Sequence, residues 1–133
     1  MRNFQRTIVK EGKLSGVGLH TGKIANIKFK PAIINHGIKF QRVDIDKSPI
    51  IEANVDYVTS VERGTTISKN NIKISTIEHL LAAIVGLQID NILIEIDSEE
   101  VPILDGSSIE FIKCLEKCEF KDQDAARNYI EIQ

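Results

Sequence analysis

The sequence predicts an α+β domain in which an isoleucine-rich, mixed or antiparallel sheet carries two helices packed on one face. The length of 133 residues corresponds to roughly one domain. Twenty-three residues are isoleucine and eight are valine, and the isoleucines often alternate with polar residues, as in half-buried strands. Two other segments begin with helix start signals and continue with helical spacing of apolar residues. Together these observations indicate the α+β class.

Seven segments are predicted as strands, because apolar residues alternate in them or β-branched residues lie between turns. They comprise residues 4–10, 25–30, 38–41, 50–55, 65–68, 72–74 and 92–97. A glycine-rich loop over residues 16–22 follows the first strand, and Pro31 ends the second. Asn35, His36 and Gly37 supply turn chemistry before the third, since Asn and Gly tolerate positive φ.

Two helices are predicted, because each begins with the Ser-x-x-Glu pattern of a capping box. Ser75 and Glu78 begin the first helix, which runs to residue 85 and stops at Gly86. Ser107 and Glu110 begin the second helix. Its predicted apolar face consists of Ile109, Ile112, Leu115 and Cys118.

The first predicted helix is apolar on two sides. The side expected to face the sheet consists of Ile77, Leu80, Leu81, Ile84 and Val85. The other side has a stripe of His79, Ala82, Ala83 and Gly86 instead of charged residues. A helix that is apolar all round is normally buried all round. We therefore expect a further layer, from outside this chain, to cover the second side.

Composition excludes several classes of protein. The net charge of −2 and the lack of basic runs argue against a nucleic-acid partner. The longest apolar stretch, residues 80–85, is far shorter than the ~20 residues of a membrane span. The first six residues contain no apolar core of a secretory signal. We expect a cytoplasmic protein with neither a nucleic-acid partner nor a membrane span.

Three segments are candidates for chemistry, each with a structural alternative. The Gly-x-Gly-x-x-x-Gly loop leads into a strand, so a tight bend is favoured over a phosphate site, although His20 within it could approach a ligand. Glu78 suits a helix N-terminus as a cap, or could act as an acid or base. His79 could be a core histidine or a metal ligand. Asp105 could bond its own turn or lie beside a substrate.

Four motifs occur in order along nearly the whole chain: residues 16–22 (GVGLHTG), 74–80 (ISTIEHL), 86–91 (GLQIDN) and 101–107 (VPILDGS). Together they closely resemble the N-terminal half of the zinc-dependent UDP-3-O-acyl-N-acetylglucosamine deacetylases of lipid A synthesis. The resemblance implies two similar α+β domains whose helices pack together between two outer sheets. That arrangement would supply the layer missing from the first helix.

The resemblance also implies roles for individual residues. Glu78 matches the general acid/base that activates a zinc-bound water, and His79 matches the one zinc ligand that comes from the first half. His20, Gly64 and Thr65 match positions near the bound substrate, a UDP-linked acylated glucosamine. The other zinc ligands belong to the second half, so none is expected in this chain.

The chain is therefore expected to comprise an N-terminal α+β domain, residues 1–124, and the start of a truncated second domain, residues 125–133. Alone, it is expected to be inactive, to bind zinc weakly, and to self-associate through its uncovered helical face. Its natural partner would be the second domain of the same parent chain. The alternative is a natural single-domain, non-catalytic binding or assembly module of the same fold.

Overall fold

The largest sheet in the computed structural model, which describes residues 3–54, 57–60 and 64–127, has five strands. In spatial order these are β2 (Gly12–Val17), β3 (Ile24–Pro31), β9 (Ile92–Ile96), β4 (Ile38–Arg42) and β5 (Ile50–Glu52). Neighbouring strands are antiparallel, except that β4 and β9 are parallel. The sheet is therefore mixed, with β2 and β5 at its edges.

Two smaller sheets flank the central one. Strand β1 (Phe4–Ile8) pairs antiparallel with β10 (Phe120–Ala126). Strands β6 (Val58–Ser60), β7 (Thr66–Lys69) and β8 (Ile72–Ile74) form an antiparallel meander. The helices are α1 (Glu78–Gly86) and α2 (Ile109–Lys117), and they pack against each other. Neither helix is long and apolar enough to cross a membrane.

The hydrophobic core lies between the central sheet and the helices. Ile27 pairs with Ile96, and Phe29 with Ile94, so that alternate residues of β3 and β9 enter the core together. The helices contribute a set of buried side chains: Leu80, Ala83, Ile84, Phe111 and Leu115. The predicted fold class, an isoleucine-rich mixed sheet with two helices, is confirmed.

Both predicted capping boxes are wrong. The N-cap residues are Ile77 and Ser108, and neither makes a side-chain capping bond. Ser107 still accepts a hydrogen bond from the N–H of Ile109, at 3.2 Å, but its own N–H donates to Asp105 and not to Glu110. The second helix therefore follows an Asp105 turn, the structural alternative noted for that residue.

The predicted helix faces need correction at three positions. The sequence predicts Val85 toward the sheet and Ala83 on the outer stripe, but Val85 is 67% exposed and Ala83 is completely buried. Ile109 is 53% exposed, and Phe111 occupies the core instead. The helices are thus rotated relative to the predicted faces, and Ala82 and Gly86 are the exposed small residues of α1.

Strand prediction succeeded where side chains alternate and missed three strands. The ends of β3, β4, β7, β8 and β9 lie within two residues of prediction, while Val55 of the predicted segment 50–55 falls outside the described residues. Strands β2, β6 and β10 were not predicted. The predicted boundary at residue 124 falls inside β10, two residues before that strand ends; the division into domains stays a prediction.

Candidate functional site

Glu78 is the first residue of α1, and its carboxylate contacts the segment just before β7. Its Oε2 accepts a hydrogen bond from the backbone N–H of Thr65 at 2.7 Å. A Cβ at position 64 would lie 3.0 Å from Oε1 of Glu78 and 3.3 Å from Cα of Thr76. Gly64 also has φ of +88°, so both the limited space for a side chain and the backbone conformation favour glycine here. Three predicted site residues, Glu78, Gly64 and Thr65, therefore meet in the fold.

Thr76 precedes α1 in a strained conformation. Its φ of +60° is a clear outlier for a β-branched residue. It is buried, and its hydroxyl donates to Oε2 of Glu100 at 2.6 Å. Backbone strain of this kind costs about 1–3 kcal/mol and persists only where surrounding contacts enforce it. The N-terminus of α1 is thus held by a specific contact with Glu100.

Glu100 also binds the glycine-rich loop. Its Oε1 accepts hydrogen bonds from the backbone N–H groups of His20, at 3.0 Å, and Thr21, at 2.9 Å. A Cβ at Gly18 would overlap Oε1 of Glu100 and lie 2.5 Å from Oγ1 of Thr21. Burial of the Glu100 carboxylate opposes its ionisation, but the hydrogen bonds from Thr76, Thr21 and His20 outweigh burial and hold its pKa below the usual range.

A polar cleft of about 640 Å³ opens beside this network. Its lining combines hydroxyl groups, cationic side chains and two carboxylates: His20, Thr21, Lys23, Thr59, Thr66, Ser68, Lys73, Ser75, Glu99 and Glu100. His20 is exposed, and its ring makes no hydrogen bond to any residue that the structure describes. The ring is therefore available to a ligand. Glu78 and His79 are not among the residues that line this cleft.

His79 lies next to Glu78 and is half-buried. Its carbonyl accepts a hydrogen bond from the Ser108 hydroxyl at 2.9 Å, which joins the first turn of α1 to the start of α2. Its ring has no hydrogen-bond partner within the described ranges. That leaves the imidazole nitrogens available for another ligand.

A catalytic zinc ion takes about three protein ligands and keeps one open position. Within residues 3–54, 57–60 and 64–127, no group of three or more His, Cys, Asp or Glu side chains could hold a metal ion. His79 alone, even with Glu78 beside it, does not make such a site. The described residues therefore do not fit a complete zinc centre.

Of the remaining motifs, residues 101–107 contact the glycine-rich loop and residues 86–91 do not. Ile103 donates its N–H to the carbonyl of Val17 at 3.0 Å, and a Cβ at Gly16 would lie 2.8 Å from Pro102 and from Leu104. The glycine loop is thus docked on the segment that follows Glu100. Residues 86–91 lie elsewhere: buried Asn91 bonds Gln5, Gln123 and the Gly37 N–H, which indicates a structural role.

Glu100 is the residue of this region that sequence reasoning missed. It stands in a Ser-Glu-Glu run, and acidic residues in loops are usually exposed. Nothing in the local sequence distinguishes it from Glu99, because its partners come from residues 20, 21 and 76. Of the two cysteines, Cys114 is half-buried and Cys118 is buried.

Comparison with known proteins adds independent findings. The LpxC family model, described as UDP-3-O-acyl N-acetylglycosamine deacetylase, matches residues 5–133. The bifunctional enzyme LpxC/FabZ of Chlorobaculum tepidum is 48% identical over 96% of this chain and 27% of its own length. The UDP-3-O-acyl-N-acetylglucosamine deacetylase of Xylella fastidiosa is 43% identical over 97% of this chain and 42% of its own length.

The chain thus spans less than half the length of the curated relatives it matches. The match nevertheless extends from β1 through every motif described above. The chain belongs to the UDP-3-O-acyl N-acetylglycosamine deacetylase family.

Proposed function

We propose that this chain is the N-terminal part of a zinc-dependent deacetylase that removes acetate from UDP-3-O-acyl-N-acetylglucosamine in lipid A biosynthesis. The observation that carries the proposal is the Glu78 carboxylate, which is bound by the Thr65 N–H instead of capping its own helix. An acidic side chain held in this way beside a half-buried histidine is suited to catalysis. Membership of the deacetylase family supports the reaction class.

Glu78 is proposed as the general acid/base. The Thr65 N–H fixes Oε2, while Oε1 has no hydrogen bond within the described residues and can take a proton. A carboxylate so placed would accept the proton of the water that attacks the acetamide carbonyl. It would then return that proton to the leaving amine, so that acetate and the free amine are released.

His79 is proposed as a zinc ligand, and His20, Gly64 and Thr65 as residues that contact the substrate. Gly64 and Thr65 touch the proposed acid/base directly, and His20 faces an open polar cleft. Because His79 is one ligand where about three are needed, the others would come from a second domain of the same parent chain. That domain is the proposed partner of this one.

The test uses the complete product of the gene that encodes this chain. We expect it to release acetate from UDP-3-O-acyl-N-acetylglucosamine, to lose activity with a zinc chelator, and to regain it when zinc is added. Residues 1–133 alone should show no turnover and only weak zinc binding. A complete product without deacetylase activity at any zinc concentration would contradict the proposal and favour a non-catalytic binding module.

A further inference from the structure

Glu100 is a buried carboxylate with no part in the proposed proton transfer. Its side chain belongs to a residue only 1% exposed, and it accepts hydrogen bonds from His20, Thr21 and Thr76. A buried charge is strongly unfavourable unless hydrogen bonds compensate it. The carboxylate is therefore satisfied only while the glycine-rich loop and the N-terminus of α1 are both docked on it.

Glu100 anchors residues 19–21, the part of the glycine-rich loop that carries His20. Its hydrogen bonds from Gly18 to Lys23 and from Gly22 to Gly18 lie within the loop itself. In the described part of the chain, the hydrogen bonds that join residues 19–21 to another segment end on Glu100. The absence of a Cβ at Gly18 allows the carboxylate to approach this closely.

The same carboxylate reaches the other half of the candidate site. Through Oε2 it binds the hydroxyl of Thr76, two residues before Glu78. The Cα of Thr76 lies close to Gly64, 3.3 Å from where a Cβ would stand, and the neighbouring Thr65 donates to Glu78. One side chain thus joins the backbone of His20 to the N-terminus of α1.

We propose that Glu100 is a positioning residue for the deacetylation, acting through His20. It holds the backbone of His20 in place relative to the N-terminus of α1, so that the His20 and Glu78 side chains reach one substrate molecule. This inference rests on the proposed function. It assigns Glu100 no contact with the substrate.

The test is a double-mutant cycle in the complete gene product, with UDP-3-O-acyl-N-acetylglucosamine as substrate. We expect Glu100→Gln to lower kcat/KM at least about tenfold, since it weakens charge-assisted hydrogen bonds. In a His20→Ala background the same substitution should lower kcat/KM clearly less than in the original protein, because the group it positions is gone while the bond to Thr76 is weakened in both backgrounds. Glu95→Gln, which removes an ion pair with Lys30 on the central sheet, is the matched control and should leave kcat/KM unchanged.

Gly18→Ala provides a second variant if Glu100→Gln folds poorly. Its methyl group would push the loop away from an intact Glu100, so it should show the same dependence on His20. Hydrogen exchange gives a readout besides activity: the amides of His20 and Thr21 should exchange faster in both variants. Unchanged exchange would overturn the proposal.

The activity results distinguish a failure of the proposed deacetylase function from a failure of the positioning role of Glu100. An inactive complete product would overturn the positioning role together with the proposed function. An active product in which Glu100→Gln and His20→Ala have multiplicative, independent effects would overturn the positioning role alone.

Discussion

The role of Glu78 depends on which backbone group its carboxylate contacts. The sequence predicts a capping box with Ser75, but Thr76 between them adopts φ of +60° and leaves the helical conformation. Ser75 is consequently displaced from the helix axis, and Ile77 becomes the N-cap. The Glu78 side chain turns instead to the Thr65 N–H. A local backbone outlier thus rules out helix capping as the role of this residue.

Replacing Glu78 by Gln in the complete protein should separate structure from catalysis. The amide oxygen of Gln can still accept the Thr65 N–H, so we expect the thermal unfolding midpoint to change little. Gln cannot accept the proton from water, so kcat should fall by about 10²–10⁴. The measurement is kcat with saturating substrate, alongside thermal unfolding.

The matched control is Glu110→Gln, at the corresponding position of the second predicted capping box. Glu110 is exposed at the start of α2, and we expect its substitution to leave kcat unchanged. If Glu78→Gln retained kcat within about threefold of the original protein, Glu78 would not be the general acid/base.

Cys118 should make stability depend on alkaline pH. Burial, with the neighbouring Cys114 adding to it, raises the pKa of Cys118 to about 11. An unfolded thiol ionises near pH ~8.5, so between these values the unfolded state has lost a proton that the folded state keeps. The free energy of unfolding should therefore fall as pH rises from about 9 to 11.

Comparing the chain with its Cys118→Ala variant isolates this contribution from Lys and Tyr titration. The variant should start less stable at pH 8, because a buried side chain is truncated, and then lose less stability than the original chain up to pH 11. Urea unfolding at several pH values measures the difference. Two parallel curves would show that the Cys118 thiol does not carry the effect.

At the scale of elements, the strands that could be predicted show their burial in their own side chains. In β3, Ala25, Ile27 and Phe29 are buried and alternate with polar residues. In β2 the inward positions are Gly12, Leu14 and Gly16, so two of the three carry no side chain. Side chains from other segments fill the space. Cys118 and Cys114 lie at Gly12, and Pro102 and Leu104 lie at Gly16. A strand whose inward positions are mostly glycine shows no alternation of apolar and polar side chains, so its sequence does not predict it.

Strand β10 was missed for a different reason. Its sequence, FKDQDAA, is mostly polar, and its residues are exposed or half-buried. It forms by antiparallel pairing with β1, with Phe4 opposite Ala126 and Ile8 opposite Phe120. Its Gln123 side chain also bonds the Ala32 carbonyl and the Asn91 amide. Such pairing depends on distant residues and leaves no local pattern of hydrophobicity.

Gly12→Ala tests the contact between β2 and α2. The new Cβ would lie 2.5 Å from the Cys118 sulfur and 3.2 Å from that of Cys114, so we expect a loss of about 1–3 kcal/mol from overpacking. Gly86→Ala is the matched control, because a Cβ there meets nothing within 4 Å. In a helix it should be neutral or stabilising by up to about 1 kcal/mol.

Urea unfolding of the isolated chain measures both variants. Adding Cys118→Ala to Gly12→Ala should recover part of the loss, since the closest sulfur is removed; the two substitutions would then be less than additive. Strict additivity, or a Gly12→Ala variant as stable as the original chain, would contradict the packing described here.

At the scale of the whole molecule, the candidate site is assembled from segments that are distant in sequence. Ser75 donates its N–H to the Glu99 carbonyl, and Val101 returns a bond to Ser75. These contacts bring residues 99–103 between the glycine loop and α1. Motif resemblance identified His20, Gly64, Thr65, Glu78 and His79 as candidates, but no local pattern indicated that Glu100 would join them. Contacts between segments so distant in sequence depend on the fold, and the sequence alone does not predict them.

The helical layer exposes apolar residues of both helices, although the other exposed residues of α2 are charged: Glu110, Lys113, Glu116 and Lys117. Val85 on α1 is 67% exposed and Ile109 on α2 is 53% exposed, and the exposed Ala82 and Gly86 accompany them. Ala83, expected on this surface from the sequence, is buried instead. Contiguous exposed apolar patches of more than a few hundred Å² are uncommon on monomers and often mark interfaces. This surface is where we propose that the second domain packs.

Residues 1–133 alone should therefore self-associate through the helical layer, or bind a hydrophobic dye if they remain monomeric. Replacing both Val85 and Ile109 by Glu should abolish either behaviour, because charges at an apolar contact would have to be desolvated without partners. Ile33→Glu is the matched control: Ile33 is 78% exposed but lies near β10, and its replacement should change neither property. Sedimentation over a range of concentrations and dye fluorescence measure the two properties. A clean monomer at high concentration that binds no dye would contradict the prediction. So would association that the Val85 and Ile109 substitutions leave intact.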